Sequence, residues 1–387
     1  MERVPKMRRR AMRARQDWPA QLEEIGFTYH SVDGGYWRED AAYEFAESEI
    51  ACLESATEAL HRLCLEAVER VIRDDRFADL RIPDAWRVGI LESWERQDPS
   101  LYGRFDLWYD GVGAPKLIEY NADTPTALLE ASVAQWFWLQ ETQPEADQFN
   151  SLHERLIRRW TGLRQNASTD LLHLACVNHS EEERQNLLYL ADTACQAGWR
   201  VQTLSIDQIG WDPQIRRFVD QMNTPIDALF KLYPWEWMNQ DAFACHLPSN
   251  TMRVFEPAWK QLLSHKGLLA LLWEWFPEHP NLLPAAFSAP TGRTAYVRKP
   301  FWSREGANIT IVRGDQIHTT EGPYDAEASV CQQYVPLPDC DGWHPMIGSW
   351  IIGDEAAGIG IREDRGLVHG NLSRFVPHVC VKEVSAP

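Results

Sequence analysis

Asp106, Glu119 and Asn121 are three oxygen-bearing side chains spaced to share one face of a β-hairpin. The stretch reads Arg104-Phe-Asp106-Leu-Trp108-Tyr109, then Asp110-Gly-Val-Gly-Ala-Pro115, then Lys116-Leu-Ile-Glu119-Tyr-Asn121-Ala-Asp123. Two alternating runs around a Gly/Pro-rich connection spell a hairpin. Side chains alternate with period two, so Arg104, Asp106 and Trp108 fall on one face and Phe105, Leu107 and Tyr109 on the other. Pairing Tyr109 with Lys116 sets Asp106 opposite Glu119 and Arg104 opposite Asn121. Two carboxylates directly opposite repel. A hard cation removes that penalty, since carboxylate and amide oxygens are what Mg²⁺ binds, usually beside substrate phosphates. A hairpin merely wet on one side would alternate in the same way, so the rest of the chain has to decide.

The elements that would position this face are legible along the chain. Residues 40 to 75 read as one long helix, with Leu53, Ala56, Leu60, Leu63, Ala67 and Val71 at helical spacing. After the hairpin, Asp123-Thr124-Pro125-Thr126 suits the start of a second helix from about Ala127 to Glu141. A strand end meeting a helix N-terminus there favours an anion. From about 168 to 240, strands (171–177, 200–205, 226–231) alternate with a helix over 180–197, which implies a small parallel, Rossmann-like layer. It carries no G-x-G-x-x-G, which argues against a dinucleotide. Beyond about 255 the chain turns mainly β. Strands are expected at Arg293–Pro300, Ile309–Val312 and Val330–Val335, with Ser303–Asn308 as a tight connection.

Composition narrows the class. At 387 residues, 44% hydrophobic and 24% charged, the chain has ample core for two or three domains. A net charge of −18 argues against non-specific nucleic-acid binding and suits a cationic partner. The basic run Arg8-Arg-Arg10, with Arg13 and Arg15, is expected as a solvated terminal helix without a secretory h-region. No run approaches a membrane span. The eight cysteines show no Cys-x-x-Cys pair, so zinc and a disulfide framework are not expected, and the cytoplasm is the default compartment.

The strand ending Lys299-Pro300 and the Gly306-containing connection would form any antiparallel meander. They would equally form a loop whose N–H groups close over nucleotide phosphates, with Lys299 neutralising charge. With Lys266, Arg104 and the oxygen trio, this becomes a phosphoryl-transfer set. Neither a Walker lysine motif nor the protein-kinase signature set is present.

The chain resembles the synthetase part of the glutathionylspermidine synthase family, and its stand-alone acid–amine ligase relatives. The resemblance rests on Gly103-Arg-Phe-Asp106, Ile118-Glu-Tyr-Asn-Ala-Asp123, Tyr296-Val-Arg-Lys-Pro300 with Arg304-Glu-Gly-Ala-Asn308, Gln332-Gln-Tyr-Val335, and Gly348-Ser-Trp-Ile with Gly360-Ile-Arg362. Lys231-Leu-Tyr-Pro-Trp235-Glu236 and Ser264-His-Lys266 lie between them. It implies an α+β, ATP-grasp ligase fold with a Rossmann-like (pre-ATP-grasp) companion domain. Residues 1–165 would hold the N-terminal helices and metal-binding hairpin, 166–255 the acid-substrate domain, and 256–387 the nucleotide-binding part.

Position by position, the resemblance makes Asp106, Glu119 and Asn121 ligands of two Mg²⁺ ions on ATP, and Arg104 the residue that steadies the transition state. Arg104, Asp106, Lys266, Lys299, Gly306 and Arg362 become nucleotide contacts. The strand carrying Gln332, Gln333 and Val335 becomes the hinge that meets adenine through its backbone. Thr124, Thr126, Glu181 and Glu182 fall where the family holds its acid substrate, and the amine would be polyamine-like. Two departures stand out. The chain has no room for the amidase domain of bifunctional members, so amidase activity is not expected. Trp237 stands where the family has a Thr after its Trp-Glu pair. The implied chemistry is C–N ligation through an acyl phosphate, against the alternatives of a silent ATP-binding protein, a peptide ligase or a hydroxyl-phosphorylating kinase.

Overall fold

The computed structural model describes residues 7–248, 252–292, 294–324, 328–371 and 373–382, a mixed α/β arrangement of several sheets. The expected hairpin forms between Tyr102–Trp108 and Lys116–Asn121. It continues through His344–Ile352 and Glu355–Asp364 to Arg374–Val376 as a five-stranded antiparallel sheet. Alternation decides its faces: Phe105, Leu107, Leu117 and Tyr120 pack into one core with Ile347 and Ile361. The helix Glu47–Arg73 lies on that apolar side and buries Leu53, Ala56, Leu60, Ala67 and Val71.

That helix starts later than its periodicity suggested. Ala41–Ala46 is a strand, wholly buried because it pairs with Arg8–Ala11 on one side and His378–Val381 on the other. The helix opens where the Glu49 carboxylate accepts the Ala46 N–H at 2.8 Å. The basic run is likewise an edge strand and not a solvated helix. Arg8 and Arg10 bind Glu44, Arg9 binds Glu363 at 2.7 Å, and Arg15 binds Glu39 at 2.6 Å. Those three carboxylates are buried, and a buried carboxylate needs a cation or it must neutralise.

The parallel layer forms as expected. Arg253–Phe255, Ala228–Leu232, Leu171–Cys176 and Arg200–Ser205 pair in that order, all parallel. The helix Glu181–Gln196 covers it, started by Ser180, whose hydroxyl accepts the Glu183 N–H at 3.2 Å. A second antiparallel sheet runs Ala285–Ala286, Ser329–Gln333, Tyr296–Pro300, Thr310–Arg313, Gln316–Thr319. The expected start of its Lys299 strand, Arg293, lies outside the described residues. The helix expected from Ala127 opens with a π turn, Glu130–Ala134, and runs on as Gln135–Thr142.

Two buried ion pairs bolt the parallel layer to the hairpin. Lys231 Nζ lies 2.6 Å from Asp123, just beyond the hairpin's end. Glu256 pairs with Lys260 at 2.8 Å and accepts the N–H groups of Leu101 and Tyr102, at the hairpin's beginning. Among the described residues no helix is long and apolar enough to cross a membrane.

Candidate active site

The hairpin sets Asp106 opposite Glu119 and Arg104 opposite Asn121, as expected. Nearer the turn the pairing differs. Trp108, not Tyr109, faces Lys116, and Leu107 faces Leu117, so Ile118 is an extra residue bulged out of the ladder. Both Ile118 and Glu119 therefore line the cleft, while Leu117 and Tyr120 stay in the core. The second sheet uses the irregularity. Lys299 Nζ donates to the Ile118 carbonyl and to Gln332 Oε1, each at 2.7 Å, and Gln332 Nε2 donates to the Leu117 carbonyl at 2.9 Å.

The opposed carboxylates are already compensated by cations of the chain itself. Arg104 donates to both oxygens of Asp106 at 2.7 and 3.2 Å and to the Thr126 carbonyl at 2.7 Å. Arg362 adds a bond to Asp106 at 2.9 Å. Glu119 pairs with Lys266 at 3.0 Å and accepts from the Asn121 amide at 3.2 Å. Burial alone would push the Glu119 carboxyl up. Lys266, then Lys299, instead hold it down at about 2. Lys299 is lowered to about 8, chiefly by burial, against the pull of Glu119. Lys266 lines the cleft, and its neighbour His265 is buried against Phe301 and Trp302 at ring distances of 4.5 and 4.4 Å.

One cleft gathers nearly every expected residue. Arg104, Asp106, Glu119, Asn121, Thr124, Thr126, Lys266, Lys299, Gly306, Gln332, Gln333, Val335 and Arg362 line it. Glu181 does not. It bends to Arg184, Gln185 and Thr28 on the outside, and Glu183 comes into the cleft beside Glu182 instead. Burial raises both cleft carboxyls, Glu183 to about 7 with Glu182 adding to the shift. The hinge strand is also narrower than expected. It is paired on both sides; Gln333 N–H goes to Pro284 and Tyr334 N–H to Ala295. Val335 lies two residues past the strand's end at Gln333 and lines the cleft.

The contacts that shape the rest of the cleft carried no mark in the sequence. The Ser303–Asn308 connection is held down: Arg304 binds Glu236 at 2.6 Å and the Thr124 hydroxyl at 2.7 Å, with its guanidinium 5.8 Å from the Trp237 ring centre. A Cβ on Gly306 (φ 70°) would sit 2.4 Å from the His369 carbonyl, so only glycine lets the connection pass. A Cβ on Gly348 would sit 2.9 Å from Arg104 Cδ, so glycine gives the arginine its path. Tyr36 and His369 arrive from distant parts of the chain. Only a feel for three-dimensional proximity could have found them.

Among the described residues no three His, Cys, Asp or Glu side chains gather into a metal cage. The trio of Asp106, Glu119 and Asn121 is a partial, oxygen-only donor set. That chemistry fits Mg²⁺, which takes few protein carboxylates and completes its shell with water and phosphate.

The sequence matches the glutathionylspermidine synthase pre-ATP-grasp family over residues 9–381. It is 42% identical to a "putative acid–amine ligase" of Haemophilus influenzae, over 95% of this chain and 98% of that protein. It is 28% identical to trypanothione synthetase of Crithidia fasciculata and 26% identical to the bifunctional glutathionylspermidine synthetase/amidase of Escherichia coli. Those matches take in 92% and 95% of this chain but 57% and 64% of the relatives. In fold it is similar to a glutathione synthetase-like effector of Globodera pallida in its apo form. The TM-score is 0.53 at 10% identity, covering 96% of this chain and all of the other. With a family match that spans both antiparallel sheets and the parallel layer between them, the chain belongs to the glutathionylspermidine synthase family.

Proposed function

We propose that the protein is an ATP-dependent acid–amine ligase of ATP-grasp architecture, forming a C–N bond through an acyl phosphate. One observation carries this reading. An oxygen trio on one antiparallel sheet faces two lysines in a cleft shared with a second antiparallel sheet and the parallel layer. Asp106, Glu119 and Asn121 would hold Mg²⁺, which supplies charge neutralisation on the β- and γ-phosphates. Lys266 and Lys299 would turn from protein oxygens to phosphate oxygens, and the Val335 N–H would meet adenine. The acid's carboxylate attacks the γ-phosphorus, and the amine then displaces phosphate. Arg104, fixed by Asp106 and the Thr126 carbonyl, would stabilise the tetrahedral oxyanion. No protein nucleophile is needed.

The names of the relatives point to glutathione and spermidine. A cationic amine also suits a cleft in which Glu182 and Glu183 stand together, and Trp237 makes the acid end bulkier than a Thr would. Incubating the protein with ATP, Mg²⁺, a candidate acid and a candidate amine, then weighing the products, tests the reading. Amide plus ADP is expected, with spermidine outperforming glycine as the amine and Glu183→Gln, not Glu181→Gln, raising the amine KM. A phosphoester would make the protein a kinase, and no turnover with any pair would leave a nucleotide-binding protein without ligase chemistry.

A further inference from the structure

A ligase that uses a cationic amine must first remove a proton from it. A primary amine with a pKa like that of lysine, ~10.4, is protonated at pH 7 in all but fewer than about one molecule in a thousand. The cleft holds a pair of side chains arranged for that task which the ligation scheme above does not use. Tyr36 lines the cleft, and its hydroxyl donates to Glu130 Oε1 at 2.8 Å. Because that proton is committed, the phenol oxygen presents lone pairs, not a donor, to whatever lies in the cleft. Glu130 stands behind the ring with no solvent exposure, and Tyr29 also hydrogen-bonds it from the N-terminal segment. The backbone at this point is a π turn, Glu130–Ala134, a form that occurs mostly as single turns at functional sites.

The surroundings suit a proton acceptor. Tyr29 and Tyr36 face Glu130 from the N-terminal segment, and Glu182 faces it from the helix Glu181–Gln196. Arg362, on the strand Glu355–Asp364, bears on Tyr36 from the side of Asp106. Tyr36 thus stands between the carboxylates suited to a cationic amine and the arginines suited to the acyl phosphate. Burial, with Glu182 adding to it, lifts the Glu130 carboxyl to about 7, where it can both accept and release a proton near neutrality.

Resting on the ligase reading, we propose that Tyr36 and Glu130 form a relay that deprotonates the attacking amine. The ammonium N–H bond breaks and its proton passes to the Tyr36 oxygen. The Tyr36 O–H bond breaks in concert and its proton passes to Glu130 Oε1. The amine is left with the lone pair that attacks the acyl carbon, Tyr36 returns to its starting state, and Glu130 ends protonated.

Tyr36→Phe and Glu130→Gln, both near-isosteric, test the relay in the full-length protein. Each is assayed with the best acid and two nucleophiles, the cationic amine and hydroxylamine, whose nitrogen is unprotonated at neutral pH. With the cationic amine both variants are expected to form amide on the order of 100-fold more slowly than wild type. With hydroxylamine they should stay within about threefold. Wild-type amide formation should rise with pH through an ionisation that Glu130→Gln lacks. Two outcomes overturn the relay: amine turnover within about threefold of wild type on an unchanged pH profile, or parallel loss with both nucleophiles, which marks a structural role. A wild type that makes neither amide nor hydroxamate from any acid defeats the ligase reading itself, a distinct result.

Discussion

Lys299 Nζ donates at 2.7 Å to the carbonyl of Ile118, the residue at which the hairpin leaves its ladder. One sheet's ammonium is thereby parked on the other sheet's irregularity, one residue from Glu119. In the proposed nucleotide complex this proton donor moves to phosphate, and the free protein keeps it in a poised, partly deprotonated state.

That state is measurable. Burial lowers the Lys299 ammonium to about 8, so near pH 8 the folded protein holds only part of a proton there. The unfolded chain, at ~10.4, still holds it, so this residue's contribution to stability rises between about pH 8 and ~10.4. Phosphate oxygens would restore the charge. Nucleotide binding at pH 8 is therefore expected to take up protons and to weaken as pH climbs further. Calorimetry in buffers of different ionisation enthalpy reads the uptake, which Lys299→Met should abolish. Equal uptake in the variant would remove Lys299 from the phosphates.

Asp106→Ala is expected to abolish ADP formation and also to lower Tm. The opposed carboxylate pair alone would suggest a gain in stability on removing one member. Arg104, only 6% exposed, would lose its main partner, and an unpaired buried charge costs about 3–5 kcal/mol. Thermal melts beside the activity assay check both halves. A raised Tm would show that carboxylate repulsion outweighs the arginine.

Arg304 reaches from the Ser303–Asn308 connection to Glu236, whose other oxygen is buried without a partner. Cutting that tie by Glu236→Ala should free the connection. Trypsin is expected to cleave after Arg304 markedly faster in the variant than in wild type, with Mg-ATP suppressing the difference. Identical digestion of the two proteins would mean that the connection is held by other contacts.

The Asp123–Lys231 pair calls for a double-mutant cycle. Both side chains are about fully buried, and Asp123 also accepts the Trp235 N–H at 2.8 Å. Lys231→Met alone should destabilise by about 3–5 kcal/mol, while Asp123→Asn with Lys231→Met should recover part of that loss. Chemical denaturation of the three variants reads the coupling, and simple additivity would contradict it.

The parts of the fold readable beforehand were those fixed by local period and turn chemistry. Glu119 and Asn121 share a face by alternation, although the bulge at Ile118 is what sets that face against Asp106, and the parallel layer follows from strands spaced by one capped helix. What escaped reading was set by distant partners. Arg8, Arg9 and Arg10 form a strand because Glu44 and Glu363, far along the chain, are buried and need cations. Glu181, Glu182 and Glu183 are equal as letters, yet successive helical residues turn by about 100°. Only the position of the cleft decides which of them enters it. Tyr36 and Glu130 meet across 94 residues, beyond any local signal.

Ile118 makes the chemistry of the cleft a matter of counting as well as of identity. Take that one residue out, keep the Lys116 and Leu117 pairings, and the ladder would run on regularly. The residues after the gap would then each move one step toward the turn, and Glu119 would still meet Asp106. Substitute instead a regular ladder with Ile118 kept, and an isoleucine would meet Asp106 while Glu119 and Asn121 turned into the core. The two strands of this hairpin thus tolerate different accidents. The turn at residues 109–115 can lengthen without disturbing the cleft. Between Lys116 and Asn121, an inserted residue not taken up by a further bulge would swap the acidic and apolar sides of the strand at a stroke.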